Sequence, residues 1–448
     1  MNDAAKPSDP PLVQTFLGVL SKSDRYPPQH IKGFQDTVLK DLVAFAAAQV
    51  PFYRGRLTAL SDGEGNAVLE RWTDVPILTS EEVKSHQADL RPDALPAGQG
   101  RALRYLSSGS TGRATAYYRS ALSEEGQQAG FLRHYRAFQL DPARDLAFIR
   151  LFDPSLARFR SVDEHEHARS WTPQWFNGGT GGRIRRLSVF TAIAKQIEWL
   201  RGLGPVYLNT FPSNVLALAQ HVAQFPEQRP ELLAILTAGE PLTANTRKLC
   251  REILGCDCID ILSNAEAGSI AMQCPAGRCY HAQSELCRVE VLRTDGGAAR
   301  PGQWGRLVVT PLYNFAMPLI RYATGDYVRV AAPCGCGRHH LALELEVGRP
   351  NNMFKTARGQ WFRPDIDVSR LWPILGGSRW QLVQMGLREF ELRYARKPEL
   401  GASQTKELRR LIAPHLPKGS KIRITRRAAI GLPSSGKLAS FAGLTAAS

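Results

Sequence analysis

The chain has 448 residues, of which 43% are hydrophobic and 22% are charged. This length is too great for one compact core and predicts two or three domains. The 57 Lys and Arg residues against 41 Asp and Glu residues give a net charge of +16, which favours an anionic partner. Because the basic residues are spread along the chain without a recognised nucleic-acid-binding pattern, nucleic acid is not the expected partner.

The N-terminal region is predicted to be helical. Residues 31–50 have apolar side chains at helical spacing, and Pro51 ends that pattern. Residues 1–10 are polar and lack the basic and apolar regions of a secretory signal. No stretch has the roughly eighteen consecutive apolar residues of a membrane span. We therefore expect a cytoplasmic protein with no membrane segment.

From about residue 100 to residue 260, short apolar runs alternate with longer amphipathic ones. Such alternation is typical of parallel βαβ units. The predicted strands are 145–152, 206–208, 232–237 and 258–262, the predicted helices are 215–224 and 244–254, and residues 189–203 are predicted as a strand followed by a helix.

Beyond residue 285 the pattern becomes rich in β-strands, and a break at residues 348–352 separates a C-terminal region of different composition. We expect two domains, 1–348 and 349–448, the second a small α+β domain. The strands predicted in this part of the chain are 287–292, 305–309, 327–330, 380–385, 389–393 and 421–425, and the predicted helix is 404–411.

A loop of small and hydroxylated residues precedes a predicted strand that begins at Ala114. Glycine and serine allow backbone N–H groups and hydroxyls to approach a polyphosphate closely, although the loop lacks the Walker pattern. Alone, a loop of this composition is more often a flexible turn, and the companion motifs are what favour a phosphate-binding role. Its residues are Ser107, Ser108, Gly109, Ser110, Thr111, Gly112 and Arg113.

Further motifs follow this loop in a fixed order. Gly239 and Glu240 come directly after one predicted strand, and Asn264 and Glu266 come after the next. These are the positions where α/β sheets bind ligands.

Three more candidates lie towards the C-terminus. Asp326 ends an Arg-Tyr-Ala-Thr-Gly-Asp segment and is placed at a turn, where a carboxylate suits the paired hydroxyls of a ribose. Arg349 lies at the predicted domain break, and Lys437 lies close to the C-terminus.

Together these motifs resemble those of the acyl-adenylate-forming (AMP-binding) superfamily, and most closely its phenylacetate–CoA ligase-like branch. Residues 50–54 and 75–79 also resemble the N-terminal pattern of that branch, so the resemblance covers about residues 45–440. It implies an α/β fold with a large N-terminal adenylation domain of several subdomains and a small α+β C-terminal lid.

The resemblance implies a role for each motif in binding the nucleotide. Residues 107–113 would hold the β- and γ-phosphates of ATP, and Asp326 and Arg349 would bind the ribose. The other implied AMP contacts are Gly239, Glu240 and Asn264.

The resemblance also implies catalytic roles. Glu266 would ligate Mg²⁺, Lys437 would reach the substrate carboxylate and the α-phosphate, and Arg113 would keep the positive charge of the lysine usual there. Attack of a carboxylate on a phosphoryl centre brings negative charges together, so a metal and a lysine are both needed. Lys437 belongs to the predicted mobile domain and can withdraw when the thiol arrives.

Cysteine and histidine residues in loop-like sequence predict a structural zinc site. Cys274, His281, Cys334 and Cys336 supply three sulfurs and one nitrogen, a closed tetrahedral set typical of structural zinc. Cys279 is an alternative to His281 and would give four cysteines. Reduced thiols without a metal are the other interpretation.

The acid pocket is expected between the phosphate loop and the metal-binding glutamate. Residues 150–153, 171–182 and 209–213 fall in that part of the chain, and the glycine-rich end of the second range is either a close-approach wall or a loop. Aromatic side chains there are candidates for a slot or for ordinary core. These are Trp175, Phe176 and Phe211.

The leading prediction is an ATP- and Mg²⁺-dependent ligase that converts an aryl or small aromatic acid to an acyl-adenylate and passes it to coenzyme A. The acceptor is open between coenzyme A, an acyl-carrier protein and an amine, and a homodimer is one expected arrangement. A non-catalytic nucleotide-binding homologue is the rival from another class. Retention of Glu266, Asp326 and Lys437 argues against it, because a binding module has no need of the lysine.

Overall fold

The structure is a computed structural model. It describes residues 11–62, 67–106, 115–150, 166–173, 176, 181–277, 279–348, 353–357, 359, 361–364, 366–376, 378–430 and 440–444. The predicted phosphate loop (107–113), Arg349, Lys437 and Trp175 lie outside these residues.

Most of the α-helices in the described residues precede or connect strands. Residues at the N-terminal ends explain where two of these helices begin. Pro28 is the first residue of α2, and Thr79 caps α3 in a capping box that Glu82 completes. The helices are α1 Leu12–Ser23, α2 Pro28–Gln49, α3 Ser80–Ser85, α4 Ala121–Ala137, α5 Ile193–Leu203, α6 Pro212–Gln224, α7 Ala244–Leu249, which continues as a π-helix over Cys250–Leu254, α8 Trp372–Leu375 and α9 Ala402–Ile412.

The strands confirm the predicted α/β class. They are β1 Ala102–Leu106, β2 Ala116–Ser120, β3 Leu146–Arg150, β4 Glu166–Ser170, β5 Arg183–Ser188, β6 Val206–Thr210, β7 Leu232–Ala238, β8 Cys258–Asn264, β9 Gly268–Gln273, β10 Tyr280–Ala282, β11 Cys287–Leu292, β12 Trp304–Pro311, β13 Tyr322–Val330, β14 Ala342–Gly348, β15 Phe354–Lys355, β16 Trp361–Phe362, β17 Trp380–Gly386, β18 Glu389–Tyr394, β19 Lys421–Arg426 and β20 Phe441–Ala442.

One predicted element is wrong in its placement. Residues 189–203 were expected to begin with a strand, but β5 ends at Ser188 and α5 begins at Ile193. Val189 and Phe190 belong to the turn between them. The β-branched and aromatic residues there mimic a strand, whereas β5 itself is rich in arginine and lacks an apolar run.

The chain divides into two compact units, one formed by Met1–Leu140 with Ile261–Glu344 and the other by Asp141–Asp260 with Leu345–Ser448. The predicted boundary at residue 348 stays a prediction.

The first unit combines helices with an antiparallel sheet. Strand β9 pairs with β8 and β10, and β12 pairs with β11 and β13, all antiparallel. Helix α1 buries Val13, Leu17 and Leu20, which are spaced for one helical face, and packs against α4. Strands β1 and β2 form a separate antiparallel pair in which Leu106 faces Ala116.

The second unit is built on a parallel sheet. Its neighbouring strands run in the order β5-β3-β6-β7 and are parallel, with β4 antiparallel at the edge beside β5. Helix α5 connects β5 to β6, and helix α6 connects β6 to β7. A helix is the usual crossover between parallel strands. The C-terminal residues add a smaller mixed sheet in the order β19-β18-β17-β20, together with α9. Among the described residues, no helix combines the length and hydrophobicity needed to cross a bilayer.

Gly182 lies in a close contact between two backbone segments. Its N–H donates to the Pro142 carbonyl at 2.8 Å, and its carbonyl accepts from the Trp171 N–H at 3.2 Å. A Cβ atom on Gly182 would lie 1.8 Å from the Arg144 carbonyl oxygen. For this residue, the glycine-rich segment is therefore a close-approach wall.

We expect Gly182→Ala to destabilise the second unit, because the clash is with backbone and cannot be relieved by a rotamer change. The expected loss is about 2–3 kcal/mol, or a fall of about 4–12 °C in the apparent melting temperature by circular dichroism. Gly202→Ala is the matched control: nothing lies within 4 Å of its added Cβ, and it sits in α5, where alanine is favoured by up to about 1 kcal/mol. Equal melting temperatures for the two variants would contradict this account.

Candidate active site

The turn between β8 and β9 carries two of the predicted site residues. Asn264 ends β8, and its Oδ1 accepts a hydrogen bond from the Ala267 N–H at 2.7 Å. Glu266 lies within that turn and is half-buried. The Nδ2 atom of Asn264 is buried and has no hydrogen-bond partner among the described residues. A buried amide donor without an acceptor is costly, so this atom fits a site that a polar ligand completes.

Gln127, a buried residue of α4, hydrogen-bonds to the backbone of the same turn. The Nε2 of Gln127 donates to the Ala267 carbonyl at 3.3 Å, and its Oε1 accepts from the Ser269 N–H. Gly268 has φ +74°, and a Cβ atom there would lie 2.4 Å from the Gln127 amide. The close contact and the positive φ both require glycine at position 268. The buried Gln127 amide fixes the backbone of Ala267, the residue that follows Glu266.

Asp326 lies in a bulged strand instead of the expected turn. Arg306 on β12 faces Tyr327 and Val308 faces Ala323, so three residues of β13 oppose one residue of β12. Gly325 has φ +81° within this bulge, and the Asp326 N–H donates to Thr324 Oγ1 at 3.1 Å. Bulges turn a side chain out of the regular alternation of a strand, which here reorients the carboxylate of Asp326.

Arg321, the residue before β13, is fixed by a buried network. It has φ +52° and is 3% exposed. Its Nη2 lies 3.0 Å from Glu290 Oε1, and its Nη1 donates to the carbonyls of Thr73 and Val75 at 2.8 and 2.7 Å. The Trp72 indole N–H donates to the other Glu290 oxygen at 3.0 Å. A left-handed non-glycine residue is maintained only where its surroundings hold it.

Neither Arg321 nor Glu290 was identified as important from the sequence. The two residues are separated by 31 positions, and an isolated glutamate in a strand gives no signal of a buried partner. The one signal in the sequence is that Arg321 begins the six-residue segment that Asp326 ends.

In the second unit, Glu240 makes a contact that the sequence did not predict. Gly239 has φ +83° and follows the last residue of β7. The Glu240 carboxylate accepts from the Ser213 N–H at 2.8 Å and from its hydroxyl at 3.0 Å. Ser213 is in the first turn of α6, so Glu240 satisfies an N-terminal N–H of that helix and lies at the positive end of its dipole.

Of the predicted aromatic candidates for the acid pocket, Phe176 and Phe211 are described. Phe211 precedes α6 and is only 6% exposed, whereas Phe176 is half-buried.

The predicted metal-binding side chains come together in the first unit. One ligand atom from each of Cys274, Cys279, His281 and Cys334 lies within 4.8 Å of the others. The sulfurs of Cys274 and Cys334 are 3.7 Å apart, and that of Cys279 is 3.8 Å from His281 Nε2. A tetrahedral zinc with Zn–S bonds of about 2.3 Å has sulfur–sulfur edges of about 3.8 Å.

Cys336 is also close, with its sulfur 3.2 Å from His281 Nε2. The structure therefore offers five candidate ligands, and the compact group of four contains Cys279 where the predicted set has Cys336. Burial raises the pKa of the Cys274 thiol to about 11 and that of Cys279 to about 12, and burial lowers the pKa of His281 to about 4. A neutral imidazole and closely spaced sulfurs fit a thiophilic divalent ion, whose charge would favour the thiolates.

Comparison with known proteins gives relatives in sequence and in fold. The chain is 27% identical over 345 residues to a phenylacetate–coenzyme A ligase of Thermus thermophilus, covering 73% of this chain and 72% of that one. It is 30% identical over 170 residues to a phenylacetate–coenzyme A ligase of Pseudomonas putida, covering 36% and 37% of the two chains. No family model matches the chain.

The structure is similar to that of 2-hydroxyisobutyryl-CoA ligase in its postadenylation state with 2-HIB-AMP. The TM-score is 0.70 at 18% identity, over 94% of this chain and 91% of that one. An open conformation of the same ligase with 2-HIB-AMP and CoA matches with a TM-score of 0.59 at 18% identity, over 92% and 91%. At this identity the likeness shows a common fold.

We expect the buried pair of Arg321 and Glu290 to be strongly coupled. Replacing one partner leaves the other charge buried, so Arg321→Gln and Glu290→Gln should each cost about 3–5 kcal/mol. The double variant should cost less than the sum, with a coupling of about 0.5–3 kcal/mol in urea unfolding followed by Trp fluorescence.

The control for this cycle is Arg293→Gln. Arg293 pairs with Asp295 at 2.9 Å, but both side chains are exposed, at 42% and 61%, so the expected change is below about 1 kcal/mol. Additive losses at Arg321 and Glu290 would show that the two side chains act separately.

Proposed function

We propose that this chain, a relative of phenylacetate–coenzyme A ligases with the fold of adenylate-forming enzymes, is an AMP-forming acid–thiol ligase. A carboxylic acid and ATP would give an acyl-adenylate and pyrophosphate, and the thiol of coenzyme A would then displace AMP. The observation that carries the proposal is the similarity to the Thermus thermophilus ligase over 73% of this chain.

The chain's own residues supply the groups that the first step needs. The turn that contains Glu266 also contains the buried amide of Asn264, whose Nδ2 has no hydrogen-bond partner among the described residues, and a turn with these two side chains suits a magnesium-bound nucleotide. Bound Mg²⁺ would neutralise phosphate charge during attack by the acid. Asp326, turned out of the strand by the bulge, would accept hydrogen bonds from ribose hydroxyls. These roles, and those of residues 107–113, Arg349 and Lys437, are proposals.

We also propose that the cysteine–histidine cluster holds a structural zinc ion. Its support is the close approach of Cys274, Cys279, His281 and Cys334, with Cys336 as an alternative ligand. Four protein ligands would leave no open position, as in structural sites. Strands β9, β10 and the loop after β13 would be tied together there. A cytoplasmic location and a homodimer stay predictions.

Acid-dependent exchange of labelled pyrophosphate into ATP tests the proposal directly. A panel of aromatic, heteroaromatic and aliphatic acids is assayed, and the best acid is then offered coenzyme A, an acyl-carrier protein and amines as acceptors. Exchange followed by thioester formation with coenzyme A supports the proposed ligase. Exchange with transfer only to another acceptor would correct the second step, and no exchange with any acid would favour the non-catalytic homologue.

Lys437→Ala should separate the two half-reactions, because the lysine charge is needed only while the carboxylate meets the α-phosphate. We expect adenylation to fall by about 10²-fold or more. Thioester formation from a preformed acyl-adenylate should change much less. Lys418→Ala, another lysine of the C-terminal region, is the control and should affect neither step. Equal losses in both half-reactions would contradict the assigned role.

Metal analysis by mass spectrometry tests the zinc site. Protein purified in metal-free buffers should carry about one equivalent of zinc, and Cys334→Ser should lose it and melt at a lower temperature. Cys287→Ser is the control, because Cys287 is buried but outside the cluster. A zinc content below about one third of an equivalent in the unmodified protein would rule the site out.

A further inference from the structure

Strand β9 connects two candidate sites of the first unit. It begins at Gly268, directly after the turn between β8 and β9 that contains Glu266 (the Glu266 turn), and it ends at Gln273, directly before Cys274 of the cysteine–histidine cluster. Its six residues span about 20 Å. One continuous strand therefore has the Glu266 turn at one end and a candidate zinc ligand at the other.

Strand β10 carries the histidine of the cluster and lies beside β9. His281 faces Met272 in this antiparallel pair. Two residues later, the N–H of Gln283 donates to the Ile270 carbonyl at 2.8 Å. From His281 the chain therefore runs back along β9 towards the Glu266 turn, and Gln283 lies closer to that turn than the cluster does.

The side chain of Gln283 links the start of β9 to a buried arginine. The residue is fully buried, its Nε2 donates to the Ser269 hydroxyl, and its Oε1 accepts from Nη2 of Arg133 at 2.9 Å. Ser269 is also the residue whose N–H donates to Gln127. The two amide side chains, Gln127 and Gln283, thus hold the residues that directly follow the Glu266 turn.

Arg133 continues this network towards the loop after β13. Its Nη1 and Nη2 donate to the two oxygens of Glu285 at 3.0 and 3.2 Å, and both residues are only 3% exposed. A bidentate pair of this kind fixes direction as well as distance. Glu285 Oε1 also lies 3.4 Å from Nε2 of His340.

His340 joins the network to the cluster. Its carbonyl lies 3.5 Å from Nδ1 of His281, whose Nε2 faces the sulfurs of Cys279 and Cys336 at 3.8 and 3.2 Å. Metal-bound histidines direct their second ring nitrogen to a carbonyl or carboxylate in this way, which fixes the ring. His340 therefore contacts a candidate zinc ligand through its backbone and Glu285 through its ring.

We infer that Gln283 is a positioning residue for the Glu266 turn, and that zinc at the cysteine–histidine cluster stabilises this turn through Gln283. The connecting network consists of Gln283, Arg133, Glu285 and His340, and all of it belongs to the first unit. The inference rests on the proposed function, because it takes the roles proposed there for zinc and for Glu266.

Hydrogen–deuterium exchange followed by mass spectrometry tests the coupling independently of activity. Zinc is removed from the folded protein with a chelator, and hydrogen exchange is compared with that of the zinc-loaded protein in peptides covering residues 262–270. Loss of zinc should speed hydrogen exchange there by about tenfold, because the start of β9 opens more often when Gln283 is no longer fixed. Adding zinc back should restore the slow rate.

Gln283→Met should speed the same hydrogen exchange by about tenfold, because methionine has a similar volume and makes neither hydrogen bond. Removing zinc from this variant should add less than about threefold, since the connection is already broken. If Gln283→Met does not fold, Ser269→Ala replaces it, because it removes only the last contact between the network and β9.

Tyr53→Phe is the matched control. Tyr53 is 1% exposed, and its hydroxyl donates to the Pro318 carbonyl at 2.9 Å and accepts from the Ile320 N–H at 3.0 Å. The variant therefore loses two buried hydrogen bonds of the first unit outside the connecting network. It should melt at a lower temperature without faster hydrogen exchange in residues 262–270.

The functional measurement is the Mg²⁺ dependence of pyrophosphate exchange with the best acid. Zinc removal and Gln283→Met should each raise the Mg²⁺ concentration for half-maximal rate by about tenfold. The KM of the acid should change less, because the Glu266 turn is proposed to act on the metal-bound nucleotide. Tyr53→Phe should leave the Mg²⁺ dependence unchanged.

Faster hydrogen exchange confined to residues 274–282 and 331–341 after zinc removal would overturn the inference and leave the ligase intact. Fully additive effects of zinc removal and Gln283→Met would also overturn it, and a protein that binds no zinc would overturn it together with the zinc site. Absence of pyrophosphate exchange with every acid would overturn the proposed function, whereas hydrogen exchange would still decide the coupling.

Discussion

The alignment of parallel strands is the constraint on which the second unit depends. Parallel pairing places the carboxyl ends of β3, β6 and β7 at one edge of the sheet. Arg150, Asn209 and Ala238 meet there although 88 residues separate the first from the last. No local interaction would bring them together. The hydrogen-bonded register does so because the strand ends, and the polar groups on them, must share an edge.

The first unit fixes its site residues in a different way. Antiparallel strands there place side chains by alternation, and the site uses deviations from it: a tight turn at Glu266 and a bulge at Asp326. A buried polar residue stabilises each deviation through hydrogen bonds. Gln127 bonds to the turn, and Arg321 bonds next to the strand that carries the bulge. These supporting groups satisfy the irregular backbone that carries the two carboxylates.

Much of the fold could be predicted, because alternating apolar and amphipathic runs have few physical interpretations. Strands β6, β7 and β8 and helix α6 follow from periodicity alone. The placement of β5 could not, since its arginines obscure the strand pattern and their partners, such as Asp145, lie far away in sequence.

The sequence predicts positions for the candidate site but few of the contacts that those residues make. The cysteine–histidine cluster follows from ligand type, and the structure brings it together. The sequence left Cys279 as an alternative to His281, whereas the compact group of four contains both and omits Cys336. The nature of the Arg321–Glu290 pair was inaccessible, because a buried ion pair has no signature beyond the two residue types. The family resemblance, carried by motif order, is confirmed by the relatives in sequence and fold.

The net charge and the charge of Arg150 have different consequences. A net charge of +16 creates a long-range field that attracts ATP, coenzyme A or an acidic carrier alike, and salt screens it within about 10 Å. It raises encounter rates without distinguishing among anions. Arg150 is a single half-buried cation held in one orientation by Asn209 and by the Ala238 carbonyl. Such hydrogen bonds act only at contact distance, so the effect of this cation is local and depends on the groups that its donors meet. The orientation of Arg150 is therefore a property of the aligned strand ends, whereas the attraction of anions is a property of the whole chain.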